Sequence, residues 1–170
     1  MSTLDMLAEL RTPIPPAVSY EEFVAAKLTF DQRYGHVIDS ASVHPSLKPH
    51  QRDLVTWAVA GGRRAIFARY GLGKSRIQIE TLRLTLEAHG DPAGRALIVC
   101  PLNVRIEIAA DAAAVGVPVR FVRRTEEIAE PGLYVTNYES IRDGRLDPAL
   151  FTAVSLDEAS VLRSFGSKTY

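Results

Sequence analysis

The chain contains a single cysteine, Cys100, in 170 residues, so no internal disulfide can form. That excludes the small secreted scaffolds that rely on such bridges. The apolar neighbours of Cys100 point to a buried thiol in a reducing compartment. Charge of either sign is not in excess, with 20 basic against 20 acidic side chains and a formal net charge of zero. Bulk attraction to nucleic acid or to an anionic membrane is therefore not expected, which leaves only a local basic face. No apolar run approaches the ~20 residues of a membrane span. No charged region followed by an apolar core opens the chain, so a secretory leader is not expected and a cytoplasmic location is. Internal repeats and low-complexity segments are also lacking. What is present is 46% apolar and 24% charged residues. That is the composition of a soluble globular domain of ordinary size with a real core.

Taken in order, the chain alternates helical and strand-like patterns. Leu4 to Leu10 has a short helical pattern that Pro13, Pro15 and Pro16 end. Tyr20, Phe23, Val24 and Leu28 fit one face of a short helix. Residues 29–48 have turn residues and no period, as in a covering loop. Pro49 suits the first turn of a helix that Gly61-Gly62 stops. Ala65–Ala68 reads as a buried strand and Ser75–His89 as a helix covered on more than one side. Ala96–Cys100 is a continuous apolar run ended by Pro101, the pattern of a strand buried on both faces. Asn103 is placed to cap the alanine-rich helix that follows. Val117–Val122 alternates weakly as a strand, and Glu126–Glu130 suits a helical turn. Leu133–Thr136 reads as a strand, Asn137–Ile141 as the start of a helix, and Phe151–Leu156 as a last strand. This alternation predicts an α/β fold with a parallel sheet and helices on both faces. In such folds ligands sit at the carboxyl ends of the strands.

Two motifs fall at those ends. Tyr70-Gly71-Leu72-Gly73-Lys74-Ser75-Arg76 joins the Ala65–Ala68 run to the next helix. Gly71 and Gly73 let the backbone bend so that its N–H groups face inward, and the helix aims its positive end at the same point. Lys74 can then reach the β- and γ-phosphates of a nucleotide, and the Ser75 hydroxyl can ligate Mg²⁺. Ala68 stands where the G-x-x-x-x-G-K-[ST] pattern has its first glycine. Far downstream, Val154-Ser155-Leu156 runs into Asp157-Glu158. Asp157 supplies the hard oxygen Mg²⁺ requires, and Glu158 a base for an attacking water. The bland readings are a strand–turn–helix joint that binds nothing and an acidic helix start. Their joint occurrence in the expected order favours an ATP and Mg²⁺ site. Gln51, at the start of the helix before the loop, has an amide that offers both a donor and an acceptor to an adenine edge.

Together these stretches resemble superfamily 2 helicases. Leu47-x-Pro-x-Gln51, Gly71-Leu-Gly-Lys-Ser75, Ile98-Val-Cys-Pro-Leu102, Val135-Thr-Asn-Tyr-Glu139 and Asp157-Glu-Ala-Ser160 follow the order of the Q, I, Ia, Ib and II motifs. The Gly-Leu-Gly-Lys-Ser form and the Tyr-Glu pair look most like the Snf2-type branch, which tolerates a non-glycine at the Ala68 position. Tyr20-Glu-Glu-Phe and the ending Asp157-Glu-Ala-Ser-Val-Leu-Arg-Ser-Phe-Gly-Ser-Lys168 resemble Snf2-like helicases of phages and prophages. The resemblance implies a first RecA-like ATP-binding domain over 47–170, preceded by an extension and covering loop over 1–46. It also implies ATP hydrolysis coupled to movement on double-stranded DNA. By position, Gln51 would contact adenine, and residues 70–76 the nucleotide. Ser75 and Asp157 would hold Mg²⁺, while Lys74, Asp157 and Glu158 would carry the chemistry. Asn103, Arg105, Asn137 and Arg142 are available to DNA phosphates.

Two features depart from the family pattern. Ser160 replaces the usual His or Asp, and the tryptophan often found after the third motif is missing. The second RecA-like domain, with its arginine finger, is expected as a separate partner of this portion, and turnover without it as weak. A non-catalytic RecA-like module that binds nucleotide or protein remains an alternative. A small-molecule kinase is disfavoured, because it needs no water-activating glutamate beside the Mg²⁺ ligand.

Overall fold

The computed structural model describes Ser19, Glu21, Glu22 and residues 34–158. The Leu4–Leu10 helix, most of the Tyr20–Leu28 helix and everything from Ala159 onward lie outside the described residues. The chain divides into two compact units, Met1–Gln32 and Arg33–Tyr170. In the first, Ser19 Oγ accepts from the Glu22 N–H at 3.1 Å, and Glu22 Oε2 accepts from the Ser19 N–H at 2.9 Å. This reciprocal pair starts a helix at Glu21.

The second unit is built on a four-stranded, all-parallel sheet. Its strands are β1 (Arg95–Cys100), β2 (Val119–Phe121), β3 (Gly132–Asn137) and β4 (Ala153–Leu156), in the spatial order β2-β3-β1-β4. The interleaved helices are α1 (Pro49–Gly61), α2 (Lys74–His89), α3 (Arg105–Ala114) and α4 (Tyr138–Arg142). β1 lies between β3 and β4, which explains its unbroken apolar run: Ala96 through Cys100 are all buried. Ala96, Ile98 and Cys100 face a core that α1, α2 and α3 close with Val55, Val59, Ile77, Ile79 and Ile108. Leu97 and Val99 face a smaller core with Tyr134, Tyr138 and Leu146. The expected α/β sheet with helices on both faces is what forms.

Local chemistry accounts for the element ends. Pro49 opens α1, and Gly62, at φ 69°, closes it. The last carbonyls of α1 find donors in the covering loop, where the N–H groups of Tyr34, Gly35 and His36 reach Gly61, Ala60 and Val59 at 3.0–3.3 Å. The orphan carbonyls of a helix end are thus satisfied by three consecutive residues. The loop is clamped again at Glu80 of α2. Its buried carboxylate accepts from the His44 N–H at 2.6 Å and from Arg83 at 2.7 and 2.9 Å. Burial pushes Glu80 up, but the bonds from Arg83 and the His44 N–H, with their charge, hold it below the ordinary carboxylate range.

Two local expectations are corrected. Ala65–Ala68 is not a strand: the segment joins no ladder, and Phe67 is 98% exposed. A run becomes a strand only by pairing with a neighbour, and Ala65–Ala68 pairs with neither of the edge strands, β2 and β4. Asn103 does not cap α3, whose N-cap is Val104 with no side-chain bond; a turn closed by the Val104 N–H to Pro101 carbonyl bond at 3.0 Å intervenes. Asn137 does cap α4, its Oδ1 accepting from the Ser140 N–H at 3.1 Å.

Candidate nucleotide-binding site

The glycine-bearing turn forms as its composition demands. Gly71 and Gly73 have φ of 81° and 74°, in the left-handed region that other residues avoid. Gly73 is the N-cap of α2, with no side chain to cap it, and its carbonyl accepts from the Ile77 N–H at 3.1 Å. The N–H groups of the first turn, Lys74 to Arg76, are therefore left without intrahelical acceptors, at the positive end of a 16-residue helix. Nothing lies within 4 Å of a β-carbon built on Gly71, so the turn is open there.

Lys74 bends back across this turn. Its ammonium donates to the carbonyl of Ala68 at 3.1 Å and to that of Arg69 at 3.5 Å. Gln51 is buried against the same turn. Its Oε1 accepts from the Lys48 N–H at 2.8 Å, and its Nε2 donates to the Leu72 carbonyl at 3.0 Å. One N–H and one lone pair of the amide remain for a ligand. Arg76 is turned to α3, where it pairs with Asp111 at 2.8 Å. Tyr70 is 98% exposed, and Leu72 is exposed as well.

Asp157 is brought to the same end of the sheet by the β4 ladder. Its N–H bonds to the Val99 carbonyl at 2.8 Å, continuing the β1–β4 pairing by one step. Gln78 of α2 donates to Ser155 Oγ at 2.7 Å, which ties the helix that carries Lys74 and Ser75 to the strand that carries Asp157. Burial and the charge of Glu158 raise the Asp157 carboxyl, while the positive charge of Lys74 pulls it back. The sequence signals missed two neighbours of Asp157. The Cys100 thiol is pushed up to about 11 by burial and then by Asp157. The Tyr138 phenol is pushed up to about 12 by burial and then by Asp157, Cys100 and Glu158.

A magnesium nucleotide suits this donor set. Among the described residues no group of three or more His, Cys, Asp or Glu could hold a metal ion. A hard cation here would take a hydroxyl and one carboxylate from the chain, and the rest from phosphate and water. Away from the loop, Arg105 and Arg123 lie over the ring of Phe121 at 5.0 and 5.6 Å. Arg105 and Phe121 border a cleft of about 270 Å³ that Ile106, Ala109, Val119 and Val135 also line. Of the residues proposed above for nucleic acid, Asn137 is occupied as a cap and Arg142 pairs with Asp143 at 3.0 Å.

No family model and no curated protein matches the chain. Solved structures do. Two helicase-type ATPase structures share its α/β, RecA-like fold. The SWI2/SNF2 ATPase core of Sulfolobus solfataricus, solved with double-stranded DNA, superposes with a TM-score of 0.61 at 16% identity. The match covers 79% of this chain and 30% of that one. The UvsW helicase of bacteriophage T4 superposes at 0.55 and 17% identity, over 85% of this chain and 52% of its own. The chain thus spans about a third to a half of these neighbours. No described helix is long and apolar enough to cross a membrane.

Proposed function

We propose that the chain is the ATP-binding half of a DNA-dependent ATPase of the helicase or translocase type, working with a second RecA-like domain. The observation that carries this reading is convergence at one end of the sheet. The Gln78–Ser155 bond at 2.7 Å ties the helix that starts with Lys74 to the strand that runs into Asp157-Glu158.

Each residue has a distinct task in this reading. Lys74 exchanges the Ala68 and Arg69 carbonyls for phosphate oxygens, and the first-turn amides of α2 hold the same phosphates. Gln51 keeps its bond to Leu72 and uses its spare donor and acceptor on the adenine edge, so base recognition and loop shape are linked. Ser75 and Asp157 hold Mg²⁺, which would supply charge neutralisation at the phosphates. Glu158 accepts the proton of the attacking water. A second RecA-like domain would present an arginine to the transferring phosphate. Arg105 and Arg123 supply a local basic face, and double-stranded DNA is the partner proposed for it.

ATP hydrolysis by the full-length protein, with and without duplex DNA, tests this reading against Lys74→Ala and Glu158→Gln. Stimulation by DNA that both substitutions abolish is the expected result. A rate that is the same for wild type and Lys74→Ala would overturn it. Lys74-dependent ATP binding with a rate indifferent to DNA and to Glu158→Gln would instead identify a nucleotide-binding module without turnover.

A further inference from the structure

Tyr138 lies on neither the glycine turn nor the acidic pair, yet its hydroxyl donates to the main-chain carbonyl of Asp157 at 2.6 Å. The ring is 7% exposed and packs with Leu97 and Val99 of β1, so the phenol has little freedom to turn away. Its backbone is equally fixed, because Tyr138 is the first residue of α4 and Asn137 caps that helix. The Asp157 peptide groups are thus held from two directions. The N–H bonds to Val99 in the sheet, and the carbonyl bonds to Tyr138 on the face opposite α2. The next residue, Glu158, has φ 52° and is the only non-glycine among the described residues in the left-handed region. A backbone in that region persists only where its surroundings over-determine it. The Tyr138 bond lies on the peptide that joins Asp157 to Glu158, where such a constraint acts directly.

We infer that Tyr138 is a positioning residue for the acidic pair. Its hydroxyl fixes the Asp157–Glu158 peptide, and so sets where both carboxylates point relative to the glycine turn. This rests on the nucleotide site proposed above. It adds that α4, on the opposite face of the sheet from α2, has a hydrogen-bonded handle on that site. A contact to α4 by a partner would be felt at Asp157 through one bond.

Two measurements on the purified chain separate this inference from the reading beneath it. Hydrogen exchange without nucleotide compares wild type, Tyr138→Phe and Thr136→Val. The last loses a buried side-chain bond, Thr136 Oγ1 to the Val122 carbonyl at 2.8 Å, on the neighbouring strand and serves as a control for general loosening. Tyr138→Phe is expected to speed exchange in a peptide spanning 154–158, and Thr136→Val is not. ATP titrations with and without Mg²⁺ then read positioning. Tyr138→Phe should lower the affinity gained from Mg²⁺ by about tenfold, and leave Mg²⁺-free affinity within about twofold. An unchanged Mg²⁺ gain and unchanged exchange in Tyr138→Phe would overturn the inference. So would an equal loss in Thr136→Val. If Lys74→Ala binds ATP as well as wild type, the nucleotide reading itself fails and the inference fails with it. If Lys74→Ala loses binding while Tyr138→Phe is normal, only the inference falls.

Discussion

Gln51 and Gly73 touch so closely that a β-carbon on Gly73 would meet Gln51 Nε2 at 2.3 Å. Gln51 in the first turn of α1 and the glycine that opens α2 are therefore parts of one packed unit, although 22 positions separate them. The same amide bonds Leu72, so any change at Gly73 reaches both the turn and the candidate base-recognition residue.

A double-mutant cycle follows from that contact. Gly73→Ala should destabilise the chain by about 2 kcal/mol, combining the left-handed φ of 74° with displacement of Gln51. Gly71→Ala, with the same kind of φ and open space around it, should cost only about 1 kcal/mol. Adding Gln51→Ala to Gly73→Ala should remove the clash, so the pair costs less than the sum. Urea unfolding of the four variants measures this; strict additivity would contradict the contact.

Glu80 holds the covering loop on α2 from a fully buried position. Glu80→Ala leaves the His44 N–H without its acceptor and removes one of the partners of Arg83, at a cost of about 3 kcal/mol. The pH dependence has a definite sign. The folded value lies below the ordinary 4.5, so the contribution is complete above pH 4.5 and is lost as pH falls through the folded value. Glu80→Gln should therefore lose less stability than wild type between pH 4.5 and acid unfolding, read as the midpoint against pH.

Asp157 shows the opposite sign. Burial and Glu158 raise its carboxyl above the ordinary 3.8, so the ionised form costs stability once pH exceeds 3.8. Asp157→Asn should raise the thermal midpoint at pH 7 by a few degrees, and the gain should vanish as pH falls toward 3.8. The same substitution should abolish the effect of Mg²⁺ on ATP binding. A midpoint lowered at pH 7 would show that the carboxylate is stabilising in the folded chain.

Most of the fold was legible because its signals are local. The run Ala96–Cys100 announces a central strand, and Pro49, Gly62 and Asn137 mark ends that the helices respect. The Ala65–Ala68 run failed as a strand because pairing depends on a neighbouring edge, about which periodicity is silent. Asn103 failed as a cap because a turn can be inserted at little cost before a helix of alanines. Gln51, Lys74 and Asp157 stand out in the sequence as residue types at motif offsets, and the nucleotide role proposed for them is what the experiments address. Tyr138 does not stand out, because its contact joins a side chain to the backbone of a residue 19 positions away. Phe121 was equally hidden, since its cleft arises from how α3 overlies the sheet edge.

The most direct test of the account is calorimetric titration of Mg²⁺-ATP into the chain and into Lys74→Ala. The account predicts saturable binding by the wild-type chain that weakens by about tenfold or more in Lys74→Ala, with the unfolding midpoint of the free protein little changed. Equal affinity in the two proteins, or no binding by the wild-type chain, would contradict it.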